Sequence, residues 1–152
     1  MSGLNLVAIQ DDITAYVRQE FSGYEVYDDY IMDDETILKE SNKVKPYIVL
    51  SWDGLRNSPT GGSFVGARFD EYYSVVDVSI VAPNARQARI ASNVIVDKLI
   101  GWKPQNSTPL SPEGATGTWV VENNNGKPHL YVSSSRFRFN VNAEDVGSYI
   151  TP

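Results

Sequence analysis

The stretch from Tyr73 to Trp102 constrains the architecture more than any other, because its hydrophobic period changes in the middle. In a strand predicted from Phe69 to Val81, Val76, Val78 and Ile80 face one way and Asp77 and Ser79 the other, which describes a sheet with one wet face. Pro83-Asn84 follows. Asn84 and Gln87 form a capping-box pattern, in which each side chain satisfies an N–H that the first helical turn leaves without a partner. Beyond it Ala88, Ala91, Val94, Ile95, Leu99 and Trp102 recur at helical spacing, with Arg86, Arg89, Asn93 and Asp97 off that stripe. Gly101 and Pro104 end the helix. Strand and helix each carry one apolar side, so the helix is expected to pack on the sheet.

The rest of the chain extends this plan. From Leu4 to Phe21, the residues Leu6, Ile9, Ile13, Tyr16, Val17 and Phe21 paint a second helical stripe, which Ser22-Gly23 stops and either Ser2 or Asn5 caps. Tyr24, Val26 and Tyr27 read as a short strand that gives way to an acidic, solvated stretch reaching Lys45. Pro46 to Trp52 reads as a buried strand, with Pro46 at its first position where no N–H is needed, and Asp53-Gly54 ends it. Asn57 to Gly66 and Gln105 to Gly117, rich in Gly, Pro, Ser and Thr, read as loops. Thr118–Glu122 and Leu130–Val141 flank Asn123-Asn124-Asn125-Gly126, whose Asn-Gly end suits a tight hairpin turn. In the last strand Leu130 and Val132 have one parity and Phe137, Phe139 and Val141 the other, so a bulge near Ser133-Ser134-Ser135 is expected to restore a single buried face. The tail, 144–152, has no strong pattern and is expected to take its order from a neighbour. The prediction is one α+β domain spanning 1–152, with a mostly antiparallel sheet of four to five strands and two main helices on one face.

Composition removes several kinds of chemistry. The formal charge of -6 argues against a phosphate-gripping groove, although a weakly repulsive surface suits a protein that DNA slides past. The chain has no cysteine, hence no thiolate nucleophile and no sulfur-ligated zinc. It shows neither a leader-like amino terminus nor an apolar run near the roughly 20 residues of a membrane span, so a reducing cytoplasm is the expected site of synthesis. Asn106-Ser107-Thr108 matches a glycosylation pattern without the secretion signal that would give it meaning.

The sequence also offers few catalytic candidates. His129 is the lone histidine, and no Gly-x-Ser-x-Gly occurs. Asp28, Asp29, Asp33, Asp34 and Glu35 offer carboxylates to a hard cation, but they lack the calcium-loop glycine and spacing, and a solvated loop is the plainer reading. A metal-dependent hydrolase using that loop is the competing expectation from a different class, and a set of Asp34, Glu35 and Lys39 lacks a flanking strand to fix its geometry. Gly61-Gly62-Ser63-Phe64-Val65-Gly66 has no Lys-Ser or Lys-Thr after it and no helix to receive a phosphate. No catalytic, cofactor-binding or metal-binding residue is therefore assigned, and the expectation is a structural subunit rather than an enzyme. Arg136 and Arg138 share a strand face and Arg86 and Arg89 a helix side, positions from which arginines form ion pairs across interfaces, although a solvated face explains them as well. The tyrosines spread along the strands also suit interfaces.

The succession of an amphipathic helix, a strand at Pro46–Trp52, a Gly-rich loop, the Tyr73–Val81 strand, the helix opened by Ala82-Pro83-Asn84-Ala85-Arg86-Gln87-Ala88, and a closing Ser135-Arg136-Phe137-Arg138-Phe139 strand resembles the tail terminator proteins of long-tailed bacteriophages. The likeness covers most of the chain in length, order and texture, without a diagnostic motif. It implies a virion protein, assembled in the host cytoplasm, that forms a ring, commonly of six copies. Such a ring caps the tail tube, ends its polymerisation, meets the head-side connector or head completion protein, and lets DNA through its lumen without specific binding. A neighbouring neck or head-to-tail adaptor subunit is the alternative. Long loops in a small domain usually have partners, so contacts with other copies or with the tube are expected along Leu55 to Arg68, including Leu55, Arg56, Phe64 and Arg68, and along Gln105 to Gly117, with Arg86, Arg89, Arg136 and Arg138 as further candidates.

Overall fold

The computed structural model describes residues 6–29, 37–38, 43–57, 62–64, 67–69, 72–121 and 129–141. The elements in chain order are α1 (Leu6–Glu20), β1 (Glu25–Asp28), β2 (Ile37–Leu38), β3 (Lys43–Val44), β4 (Tyr47–Trp52), β5 (Arg56–Asn57), β6 (Gly62–Phe64), β7 (Ala67–Phe69), β8 (Tyr72–Ala82), α2 (Ala85–Leu99), β9 (Ser111–Ala115), β10 (Trp119–Val121) and β11 (Leu130–Val141). Seven strands form the main sheet, in the order β1-β4-β8-β11-β10, with β5 also pairing with β8 and β9 with β11. The β1–β4 pair is parallel and the other pairings are antiparallel. The fold is α+β, with two helices and a mostly antiparallel sheet. Two smaller pairs stand apart, β2 with β3 and β6 with β7.

Both helices lie on one face. Ile9, Ile13 and Val17 of α1 and Ala91, Ile95 and Leu99 of α2 share a cluster with Ile48, Leu50, Val76, Val78, Ile80, Phe137 and Phe139. Each large apolar side chain fully buried there contributes about 1.5–3 kcal/mol. Asn84 caps α2 by accepting from the Gln87 N–H at 2.8 Å. The helix then ends at Ile100, whose N–H donates to the Val96 carbonyl, and Gly101 follows with φ +82°, a left-handed conformation that glycine adopts without strain. Tyr16 stacks on Trp102 with ring centroids 3.9 Å apart and donates to the Lys98 carbonyl, which ties α1 to the end of α2.

Four local expectations change. No bulge interrupts β11 where it meets β8: the register is continuous from Tyr131↔Ala82 to Val141↔Tyr72. The strand is instead buried on the helix side from Ser133 to Val141 and, near its start, on the other side at Val132. Phe137, Phe139 and Val141 enter the main core, while Val132 joins Tyr47 and Val81 in a second cluster on the opposite face, with Tyr27, Val49 and Leu130 packed against it. The segment read as a loop from Gln105 to Gly117 contains β9, which pairs with β11 despite Pro112 and Gly114 because its register slips opposite Arg136/Phe137. The segment read as a loop from Asn57 to Gly66 contains β6, paired with β7, so the strand expected from Phe69 begins in separate pieces. Val94, placed on the apolar stripe of α2, is 40% exposed, because the core takes Ala88, Ala91, Ile95 and Leu99 and leaves Val94 beyond their edge. The caps expected at Ser2 or Asn5, the turn at 123–126 and the tail 144–152 lie outside the described residues.

Candidate interaction surface

The face away from the helices is built row by row from the pairing register. Glu25, Tyr47, Val81, Val132 and Trp119 are successive partners across all five positions of the sheet order. Tyr27, Val49, Ser79 and Ser134 make the next row. Ser51, Asp77 and Arg136 make a third. Strand alternation puts all these side chains on one side. The first row is apolar at its centre, where Tyr47, Val81 and Val132 are buried and Tyr27 meets Tyr47 edge to face at 5.7 Å. In the second row the Ser79 and Ser134 hydroxyls sit 2.6 Å apart, and the Thr116 hydroxyl accepts from the Ser134 N–H.

The third row carries charge. Arg136 reaches Asp77 at 3.0 Å and Asp53 at 3.4 Å, and Arg56 reaches the same Asp53 oxygen at 3.2 Å. Two arginines and two carboxylates therefore form one half-exposed network that balances its own charge. Such pairs are screened by solvent and chiefly fix side-chain orientation. Arg138 lies over the Tyr73 ring, 3.8 Å from its centroid.

The far edge of the sheet is different in character. In β10, Trp119, Val120 and Val121 are 42%, 43% and 39% exposed, and among the described residues β10 pairs with β11 alone. Three successive apolar side chains on an edge strand run against the usual protection of edges by charge, proline or cover.

The candidate residues from the sequence scatter over this framework. Arg136 and Arg138 share the open face, as their parity required, but Arg136 is held inside its own chain by Asp53 and Asp77. Arg56 joins the same network, and Leu55 beside it is exposed. Arg86 and Arg89 are exposed on α2. Phe64 pairs with Ala67, and Arg68 with Ser63, in the separate β6–β7 pair. Asp53 and Asp77 do not stand out in the sequence, because Arg136 meets Asp77 only through the β8–β11 register, between residues 59 positions apart, and no local signal carries that. Trp119 and Val121 are legible as strand residues, but nothing in the pattern says that their strand is an edge.

Among the described residues no three His, Cys, Asp or Glu side chains are grouped to hold a metal ion. Asp28 accepts the Trp52 indole N–H at 2.6 Å, and Asp29 has φ +68°, while the remainder of the acidic stretch, Asp33, Asp34 and Glu35, lies outside the described residues. His129 is exposed just before β11. A groove of about 380 Å³ opens between Lys103, Asn106, Ser107, Thr108, Asn140 and Val141, with Lys103 as the one charged lining group among the described residues. Among the described residues no helix is long and apolar enough to cross a membrane. No protein-family model matches the chain, and no curated protein matches it.

Proposed function

We propose that this chain is a self-assembling structural subunit of the tail-terminator type. In this reading copies close into a ring, commonly of six, that caps a phage tail tube, ends its growth and presents a surface to the head-side connector. The carrying observation is β10, whose three exposed apolar side chains on a sheet edge have the character of a surface that is covered in use. The α+β order of elements, on which the resemblance rests, supports it further. Closed cyclic symmetry suits such an edge, since each copy hides its neighbour's and none is left over.

The test is electron microscopy of the purified protein, alone and after addition of tail tube protein. Rings of uniform diameter, and tubes that stop lengthening when the protein is added, are the expected results. A monomer at high concentration that leaves tube growth unchanged would remove the proposal.

A further inference from the structure

The solvent side of α2 is not uniformly polar. Arg86, Ile90, Val94 and Lys98 follow one another at four-residue steps and so form one row along the helix. All four are exposed, Ile90 at 48% and Val94 at 40%. The row is therefore apolar in its middle and cationic at both ends. Its surroundings leave it open. Tyr16 of α1 stacks on Trp102 and donates to the Lys98 carbonyl, so α1 meets α2 at its last turn. Beside the first turns a groove of about 350 Å³ opens instead, lined by Tyr24, Asn84, Arg86, Gln87, Ile90 and Ala91.

The chemistry of the row specifies what fits it. An apolar middle between two cations suits a segment that is both apolar and acidic, and it rejects a second α2, which would bring cation against cation. The residues that follow β11 have the fitting composition: 142–152 contain Glu144 and Asp145, then Val146, Tyr149 and Ile150, and no Lys or Arg. They also start near the row. Val141, the last described residue, lines a groove with Lys103, which stands just past the end of α2. The row from Lys98 back to Arg86 is about 18 Å long at the helical rise, and the nine residues 142–150 reach about 30 Å when extended.

We propose that residues 144–150 lie along α2 of their own chain, with Val146, Tyr149 and Ile150 over Ile90 and Val94, and with Glu144 and Asp145 toward the cations at the Lys98 end. Burial of the two aliphatic side chains supplies the attraction, and charge sets the direction. Attachment beside the row holds the segment at about millimolar local concentration, which a separate molecule lacks. The order that the sequence leads one to expect from a neighbour is supplied by the chain's own helix. Seated there, the segment shields apolar surface that would otherwise be open to non-specific association. The inference stands on α2 and on the sequence after β11, and it holds with or without a ring.

A disulfide trap tests it, because the chain has no cysteine to interfere. Asp97→Cys, at an exposed position one turn on from Val94, is combined with Ser148→Cys in the full chain, and bond closure is followed at equilibrium in a glutathione buffer at low salt. The expected product is a monomer closed on itself. Two further versions of the trap each remove one side of the contact, Ile90→Glu with Val94→Glu on the helix and Glu144→Lys with Asp145→Lys in the segment. Each is expected to lower the closure constant at least about tenfold, because apolar cover is lost or like charges oppose. A bare tether also closes, but it is indifferent to both changes. The helix positions are exposed, so the fold tolerates them, and the second version leaves the helix untouched. Equal closure in all three versions would overturn the inference, as would a bond that joins two chains instead of closing one.

Discussion

At the scale of single residues, stability is concentrated in a few side chains that reach across layers. Phe137 and Phe139 are 1% and 0% exposed and sit in the cluster shared by both helices. Phe139→Ala is expected to cost about 3–5 kcal/mol, since the removed ring leaves a void that rigid neighbours fill only in part, and urea unfolding reads the loss directly. Tyr16 gives the chain a pH dependence at the alkaline end. Burial, then the charge of Glu20 and its hydrogen bond, raise the Tyr16 hydroxyl above its ordinary value of 10.0. The folded state therefore holds this proton more tightly than the unfolded chain. The contribution is intact below pH 10 and is lost as the pH rises from there through the folded-state value. Melting temperatures of the wild type and Tyr16→Phe, plotted against pH, are expected to run parallel below that point and to converge or cross above it. A gap between the two that stays constant to about pH 11, beyond the ordinary tyrosine range, would show that Tyr16 does not titrate differently on folding.

At the scale of elements, what is legible follows from period and what is hidden follows from pairing. The β8–α2 junction can be read because alternation, a cap and a helical stripe all lie within one continuous stretch. The Asn84 cap should contribute about 1 kcal/mol, so Asn84→Ala is expected to lower stability by that amount while Asn84→Asp retains it, as measured by urea unfolding. β9 escapes a local reading because Pro112 and Gly114 mark loops, and only the long neighbouring strand β11 supplies the partner that makes Ser111–Ala115 extended. The parity change in β11 is legible, but its cause is not. A strand can change its buried side either by inserting a residue or by having cover on both faces, and the second needs Tyr47 and Val81 from elsewhere in the sheet. The candidate surface shows the same division. That Arg136 and Arg138 share a face is a property of one strand, whereas the two carboxylates that hold Arg136 come from positions 53 and 77.

At the scale of the whole molecule, one sheet has unequal ends, and that inequality bears on assembly more than any single contact. The β1 end is acidic, with Glu25, Asp28 and Asp29 exposed, while β10 at the other end is apolar, with Trp119, Val120 and Val121 exposed. An edge of that kind, if it served the monomer, would support its fold; if it served an assembly, it would be dispensable to the monomer. Trp119 and Val121 separate the two cases, because each is about two-fifths exposed and lies outside both core clusters. Trp119→Lys with Val121→Lys is expected to change monomer stability by no more than about 0.5 kcal/mol for each position, as for other surface substitutions, while placing two charges where a neighbour would have to desolvate them. Urea unfolding and sedimentation of the same variant should then diverge: an unchanged midpoint and lost assembly are the expected pair. A large drop in stability would make β10 part of the fold's own support, and unimpaired assembly would move the contact surface elsewhere on the molecule.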